Sequence, residues 1–320
     1  MSKLELRFVS YENDTGSAVG IESSGRVLDL LAAEELLAKA GLINSTPELP
    51  SDMLGIIKAG EVALKRIEDM LSAVNHGADV VSAWLPEGSY QLLPPIPNPE
   101  QNLLCLGLNY ASHLNEAESV LGIEAGENSK PPLVMFSKRI NTIIGHDADI
   151  PLHAGITEQP DYEAELAFVI GKTGTNITRD EADSHIFGYT IVNEVSARDL
   201  QVKHLQVFKG KSLDGYCPVG PVLVHKSAMP RTPAEGLTLR SYVNGELRHD
   251  TSTSQLIYDI PSAISILSEG MTLFAGEVVA TGNPSGSAIS FDPPRFLNAG
   301  DRVEVEIEGI GTLGNFLATT

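Results

Sequence analysis

Asp161-Tyr162-Glu163-Ala164-Glu165-Leu166-Ala167-Phe168-Val169-Ile170-Gly171-Lys172 sets two carboxylates two residues apart at the head of an apolar run that a glycine closes. The composition of that run is that of a strand. Strand side chains alternate between faces, so Glu163 and Glu165 project to one side, while Leu166, Phe168 and Ile170 project to the other. Two like charges held that close call for a cation between them. A hard divalent ion with oxygen ligands, Mg²⁺, Mn²⁺ or Ca²⁺, is the simplest partner.

Working outward, the chain downstream of residue 100 reads as short apolar runs punctuated by Gly and Pro. These are Leu103 to Leu108, Leu133 to Phe136, Ala164 to Ile170, Phe187 to Val192, Pro221 to Val224, Leu237 to Val243, Glu277 to Thr281 and Arg302 to Ile307. Many short strands with few long helices predict an α+β, mainly β and mainly antiparallel architecture. Upstream, two strand-like runs (Leu4 to Ser10, Ser17 to Glu22) precede a segment in which Leu54, Ile57, Val62, Ile67, Met70, Leu71 and Val74 follow helical spacing, with Ser51 as the expected N-cap. The run Leu92-Leu93-Pro94-Pro95-Ile96-Pro97-Asn98-Pro99 can continue neither a helix nor a central strand. It predicts a boundary between a small α+β N-terminal domain (residues 1–95) and a larger domain (residues 100–320).

The 320 residues suffice for a sizeable buried core, and 42% hydrophobic with 20% charged residues is ordinary globular composition. A net charge of −20 argues against a nucleic-acid partner, which needs a basic footprint. Cys105 and Cys217 stand far apart among apolar neighbours and read as reduced core thiols. Charge interrupts the N-terminal residues where a signal peptide would be apolar, and no stretch approaches membrane-spanning length. The expectation is a cytoplasmic protein with no membrane partner.

Three further clusters carry chemistry. Gly188 to Gln201 is an apolar strand that turns polar at its end, bringing Asn193, Glu194, Arg198 and Gln201 into one short stretch, where sites are usually built. Lys209-Gly210-Lys211-Ser212-Leu213-Asp214-Gly215 is a basic loop bracketed by glycine. In Gly107-Leu108-Asn109-Tyr110-Ala111-Ser112-His113-Leu114-Asn115-Glu116, His113 and Glu116 are neighbours on a helical turn. A histidine oriented by a carboxylate is a ready general base.

In order, GxNYxxHxxE, DYExELxxVIGK, NExSARDxQ, GKSxDxxxPxGP, TGxPxG and GDxVxxxIxGIGxLxN span roughly residues 100 to 320. This set resembles the fumarylacetoacetate hydrolase family. The resemblance implies a mixed β-sandwich roll as the catalytic domain, a Mg²⁺ or Mn²⁺ cofactor (with Ca²⁺ a candidate occupant in a crystal), a keto-acid substrate and a homodimer. By position it implies Glu163, Glu165 and Glu194 as metal ligands, His113 and Glu116 as a catalytic dyad on a lid segment, and Lys211 at the oxyanion. Arg198, Gln201, Tyr110 and Thr281 fall on substrate-binding positions. The chain departs from the pattern at Glu194, where the family has Asp, at Glu277, and at Asn283 and Ser287 in the loop that follows.

The family hydrolyses C–C bonds, decarboxylates and tautomerises keto acids through a common enolate. With His113 and Glu116 both present, the expectation is hydrolysis of a β-diketo acid of the acylpyruvate or fumarylpyruvate type. Decarboxylation or keto–enol isomerisation of a related diacid is the alternative, followed by a non-catalytic ligand-binding relative. Two motifs are set aside. Gly309 to Gly314 satisfies GxGxxG too near the C-terminus for a dinucleotide fold and reads as a turn, and Gly210-Lys211-Ser212 lacks the glycine that a phosphate loop needs at Leu205. The remaining histidines show no paired ligand spacing.

Overall fold

A computed structural model describes residues 4–14, 16–46, 48–113 and 130–318. The N-terminal part contributes strands β1 (Arg7–Asn13), β2 (Gly16–Ser23) and β3 (Arg26–Asp29), and helices α1 (Leu30–Lys39), α2 (Met53–Ala59) and α3 (Glu61–Asn75). Then follow β4 (Leu103–Gly107), β5 (Val134–Lys138), β6 (Ala164–Ile170), β7 (Ile186–Asn193), α4 (Arg198–His204), α5 (Val207–Lys211) and β8 (Cys217–His225). The chain closes with β9 (Thr238–Val243), β10 (Glu246–Ser252), α6 (Ile260–Ser268), β11 (Val278–Ala280), β12 (Arg302–Ile307) and β13 (Gly311–Ala318).

The long helical period of the N-terminal part is two helices rather than one. Gly60 adopts φ of 59°, a left-handed conformation, and breaks the path between them. The N-cap of α2 is Asp52, not Ser51: its carboxylate accepts from Gly55 N at 2.9 Å. Asp caps as well as Ser does, and the helix starts one residue later than periodicity alone suggested.

Two sheets form the body. The larger runs β3-β2-β1-β8-β7-β6-β11-β4-β5, with every pair along this path antiparallel except β11 and β4, and Ile143–Ile144 pairs in parallel with β8 off the path. Strands β10-β9-β12-β13 make the smaller one, with Ile150–Pro151 added in parallel at its edge. Pairing of β1 with β8 carries the N-terminal strands into the large sheet. Gly309 to Gly314 spans the β12–β13 hairpin, as its reading as a turn predicts.

Central β6 is buried on both faces, so its run is apolar almost throughout. Ala164, Leu166, Phe168 and Ile170 pack into one hydrophobic cluster, which lies against the smaller sheet and α6. Ala167 and Val169 face the other cluster, under the N-terminal helices. That alternation aims Glu165 away from the first cluster. Cys105 and Cys217 are buried and free. No described helix is long and apolar enough to cross a membrane.

His249 is fully buried on β10, where its Nδ1 lies 2.6 Å from Ser241 Oγ and its Nε2 has no hydrogen-bond partner among the described residues. Burial pulls its pKa from 6.5 down to about 3. The unfolded chain takes up this proton near pH 6.5, whereas the folded chain takes it up only near 3. Its contribution to stability is therefore whole above pH 6.5 and falls as the pH drops through that window, by at most about 1.4 kcal/mol per pH unit. Urea unfolding between pH 7 and 4 should show a shallower loss of stability for His249→Gln than for the wild type; parallel losses would contradict the assignment.

Candidate active site

Register builds the site. Ala164 pairs with Asn193 across β6 and β7, so Glu163 and Glu165 flank the pair and Glu194 follows it. Two bonds lock the junction: Glu194 N donates to Glu163 O at 2.8 Å, and Glu163 N donates to Asn193 Oδ1 at 3.1 Å. Glu163, Glu165 and Glu194 are all buried, and each offers a carboxylate oxygen within 4.8 Å of the others.

Three buried bases surround them. Arg198, at the start of α4, donates from Nε to Asp161 Oδ2 at 2.8 Å and from Nη1 to Gln201 Oε1 at 3.2 Å. Its Nη2 lies 2.7 Å from Glu163 Oε1, close enough for an ion pair though not aligned as a hydrogen bond. Lys211, at the end of α5, bridges Glu163 Oε2 at 2.5 Å and Glu194 Oε2 at 2.9 Å, with Nζ 4.9 Å from the centroid of the Phe136 ring. Gly210 permits this approach: a Cβ there would stand 2.6 Å from Ala197 O. Fully buried Lys138 ends β5, donates to Val195 O at 2.8 Å and stands 3.8 Å from Glu194 Oε1.

Electrostatics separate the carboxylates. Burial pushes Glu163 up, but Lys211 and Arg198 together outweigh it and hold the group well below the usual carboxylate range. Glu165 goes the other way: burial, then Glu194 and Glu163, push it well above that range, although Gly282 N donates to its Oε2 at 2.7 Å. Gly282 has φ of +95°, and a Cβ there would lie 2.9 Å from Leu106 O, so only glycine presents its N–H this way.

A divalent cation fits this donor set. All three groups are oxygen donors, Glu194 Oε1 is buried without a hydrogen-bond partner among the described residues, and the mutual repulsion felt by Glu165 is what a cation would relieve. The one-methylene excess of Glu194 over Asp leaves it inside the triad.

The other residues singled out in the sequence take varied places. His113 lies near enough that its charge lowers Glu163, and Ser285 N donates to neighbouring Ser112 Oγ at 3.4 Å, tying this helical turn to the 281–287 loop. Glu116 lies outside the described residues. Tyr110 is fully buried with its hydroxyl unpartnered among the described residues; burial and then Glu165 raise its pKa. The Thr281 hydroxyl donates to Leu166 O at 2.8 Å, and Asn109 Nδ2 donates to Thr281 O at 2.9 Å. Asn283 Nδ2 donates to Ser287 Oγ at 3.0 Å, so both departures serve to brace that loop. Glu277 accepts from Phe274 N in a turn.

Sequence reasoning passed over Asp161, Asn109 and Lys138. Asp161 opens the DYE motif without an assigned role, yet it is fully buried and accepts from Ala288 N at 2.7 Å as well as from Arg198. Asn109 also accepts from Tyr258 N at 2.8 Å. Both stand inside quoted motifs, which was the available signal. Lys138 has none.

Comparison with known proteins agrees with this geometry. The profile described as fumarylacetoacetate (FAA) hydrolase C-terminal matches residues 102–318. Oxaloacetate tautomerase YisK of Bacillus subtilis is 42% identical over 291 residues, 91% of this chain and 92% of that protein. A fumarylacetoacetate hydrolase from Exiguobacterium antarcticum superposes with a TM-score of 0.77 at 35% identity, covering 98% of this chain and 99% of that one. A 5-carboxymethyl-2-hydroxymuconate delta-isomerase from Mycobacterium smegmatis does so at 0.70 and 29%, covering 98% and 99%. With a profile match over more than half its length and a relative of this identity along nearly all of it, the chain belongs to the fumarylacetoacetate hydrolase family of enzymes.

Proposed function

We propose that this enzyme is a divalent-metal-dependent keto–enol tautomerase of a short keto diacid, with oxaloacetate as the first substrate to try. The observation that carries the reading is the buried Glu163, Glu165 and Glu194 triad, in a chain 42% identical to an oxaloacetate tautomerase across nearly all of both. Mg²⁺ or Mn²⁺ held there would supply Lewis acidity toward an α-keto acid. Counted as ionised, four buried carboxylates (Asp161 and the triad) face three buried bases. A bound divalent cation turns one excess negative charge into one excess positive charge, which suits an anionic substrate despite the acidic surface.

Tautomerisation moves one proton between the enol oxygen and the carbon alpha to the keto group, as a C=O bond replaces the C=C bond. No bond to water forms and no oxidation state changes. His113, electrostatically in touch with Glu163, is placed to carry that proton. Lys211 offers a fixed ammonium to the oxygen on which charge develops. Arg198 orients Glu163 and Asp161, and the guanidinium N–H groups those contacts leave over would hold the substrate carboxylate. Tyr110 contributes a hydroxyl that has no partner among the described residues and lies near Glu165. We place this chemistry in residues 100–320 of a homodimer in the cytoplasm, with residues 1–95 as a supporting domain.

Hydrolysis of an acylpyruvate is the second reading, favoured by His113 beside the triad and by the 35% identical hydrolase structure. It further requires a water held by His113 and Glu116. Stopped-flow loss of enol oxaloacetate absorbance, with a metal-only control, should accelerate with enzyme and Mg²⁺ or Mn²⁺, vanish in EDTA, and leave oxaloacetate as the sole product by NMR. Pyruvate released from an acylpyruvate would move the assignment to hydrolase, and silence with both substrates would sink the enzymatic reading.

His113→Ala should lower turnover by roughly 10²- to 10⁴-fold, the usual worth of a positioned proton carrier. Mn²⁺ affinity, read by calorimetry, should stay within the wild-type range. Unchanged turnover would remove His113 from the mechanism.

A further inference from the structure

A lysine with no exposed surface is rare, and one that touches no carboxylate at hydrogen-bonding distance is rarer still. Lys138 is such a residue. Of the three bases around the triad, Arg198 and Lys211 lie directly against carboxylate oxygens: both oxygens of Glu163 are engaged, and so is Oε2 of Glu194. Lys138 instead gives a hydrogen bond to Val195 O at 2.8 Å, on the residue after Glu194, and its charge stands 3.8 Å from Glu194 Oε1. That oxygen has no hydrogen-bond partner among the described residues.

The arrangement separates charge from coordination. The Lys138 ammonium stands beside Glu194 Oε1, yet leaves the lone pairs of that oxygen open. Anchorage through Val195 O and burial at the end of an edge strand prevent Nζ from swinging into the site as a competing ligand. Its position relative to Glu194 thus stays constant. Burial pushes the thiols of Cys105 and Cys217 up, so they offer no compensating charge.

We propose that Lys138 is a positioning residue that acts through Glu194. Its buried charge sets how tightly the triad holds a divalent cation and how strongly the loaded site attracts an anionic keto acid. The inference rests on the metal-dependent reading above and deepens it. Repulsion between Lys138 and the cation makes the wild-type site a deliberately moderate binder, and the same charge supplies the positive balance that draws the substrate in.

Two substitutions separate this from a purely structural role. Lys138→Met keeps the length and removes both charge and donor; Lys138→Gln removes the charge and keeps a donor for Val195 O. Calorimetric titration of each purified protein with Mn²⁺ is expected to show tighter binding in both variants than in the wild type, on the order of tenfold for the loss of one nearby charge. KM for the keto acid should rise by a similar factor, with kcat changing less. If Lys138 serves only to clamp the backbone, Lys138→Gln will bind Mn²⁺ like the wild type and Lys138→Met will bind it more weakly, which overturns the proposal. Should Lys138→Met fail to fold, Lys138→Gln decides alone: tighter binding supports the proposal, and unchanged or weaker binding overturns it. A wild type that binds no Mn²⁺ points instead to failure of the metal reading.

Discussion

Three buried carboxylates, each within reach of the other two, are a strong electrostatic liability, and much of the surrounding structure answers it. Burying an unpaired carboxylate costs several kcal/mol. The fold gathers Arg198, Lys211 and Lys138 around the triad, each delivered by a different element: the start of α4, the end of α5 and the end of β5. Even so, Glu165 remains poised well above the normal carboxylate range because two like charges face it. A site left with that residual repulsion is prepared for a cation, and the backbone N–H of Gly282 is a neutral donor turned toward Glu165.

The scaffold explains how such a site persists. β6 is buried on both faces in the middle of the large sheet, so the register that sets Glu163 and Glu165 against Glu194 is enforced by every apolar residue behind it. A slip of one residue would turn Leu166, Phe168 and Ile170 toward the carboxylates. Asp161 joins the second support, since its carboxylate takes the Arg198 guanidinium and the N–H groups of Ala288 and Ile289 at once. The 281–287 loop is thereby held against the same arginine that orients Glu163.

How much of this could be read in the chain follows from the range of each interaction. Glu163 and Glu165 were legible because a two-residue spacing on a strand is a local fact, and Glu194 because a polar strand end stands out after an apolar run. The motif order supplied the family and, with it, the mixed architecture. Long-range pairings were not legible: Arg7 meets Val224 across the β1–β8 pair, and nothing near either residue announces it. Lys138 went unnoticed for the same reason, since a lysine beside Arg139 looks like a solvated surface residue until the sheet buries it. The contacts of the Arg198 guanidinium with Asp161, Glu163 and Gln201 were not legible either, since the set is assembled from residues up to 37 positions apart.

The central claim is that the triad is a metal centre, and locating the ion tests it most directly. Crystals grown with Mn²⁺ and measured at the manganese absorption edge should give one anomalous peak per chain, within coordination distance of Glu163, Glu165 and Glu194. A map with no peak among these carboxylates, or with manganese bound only elsewhere, would contradict the account.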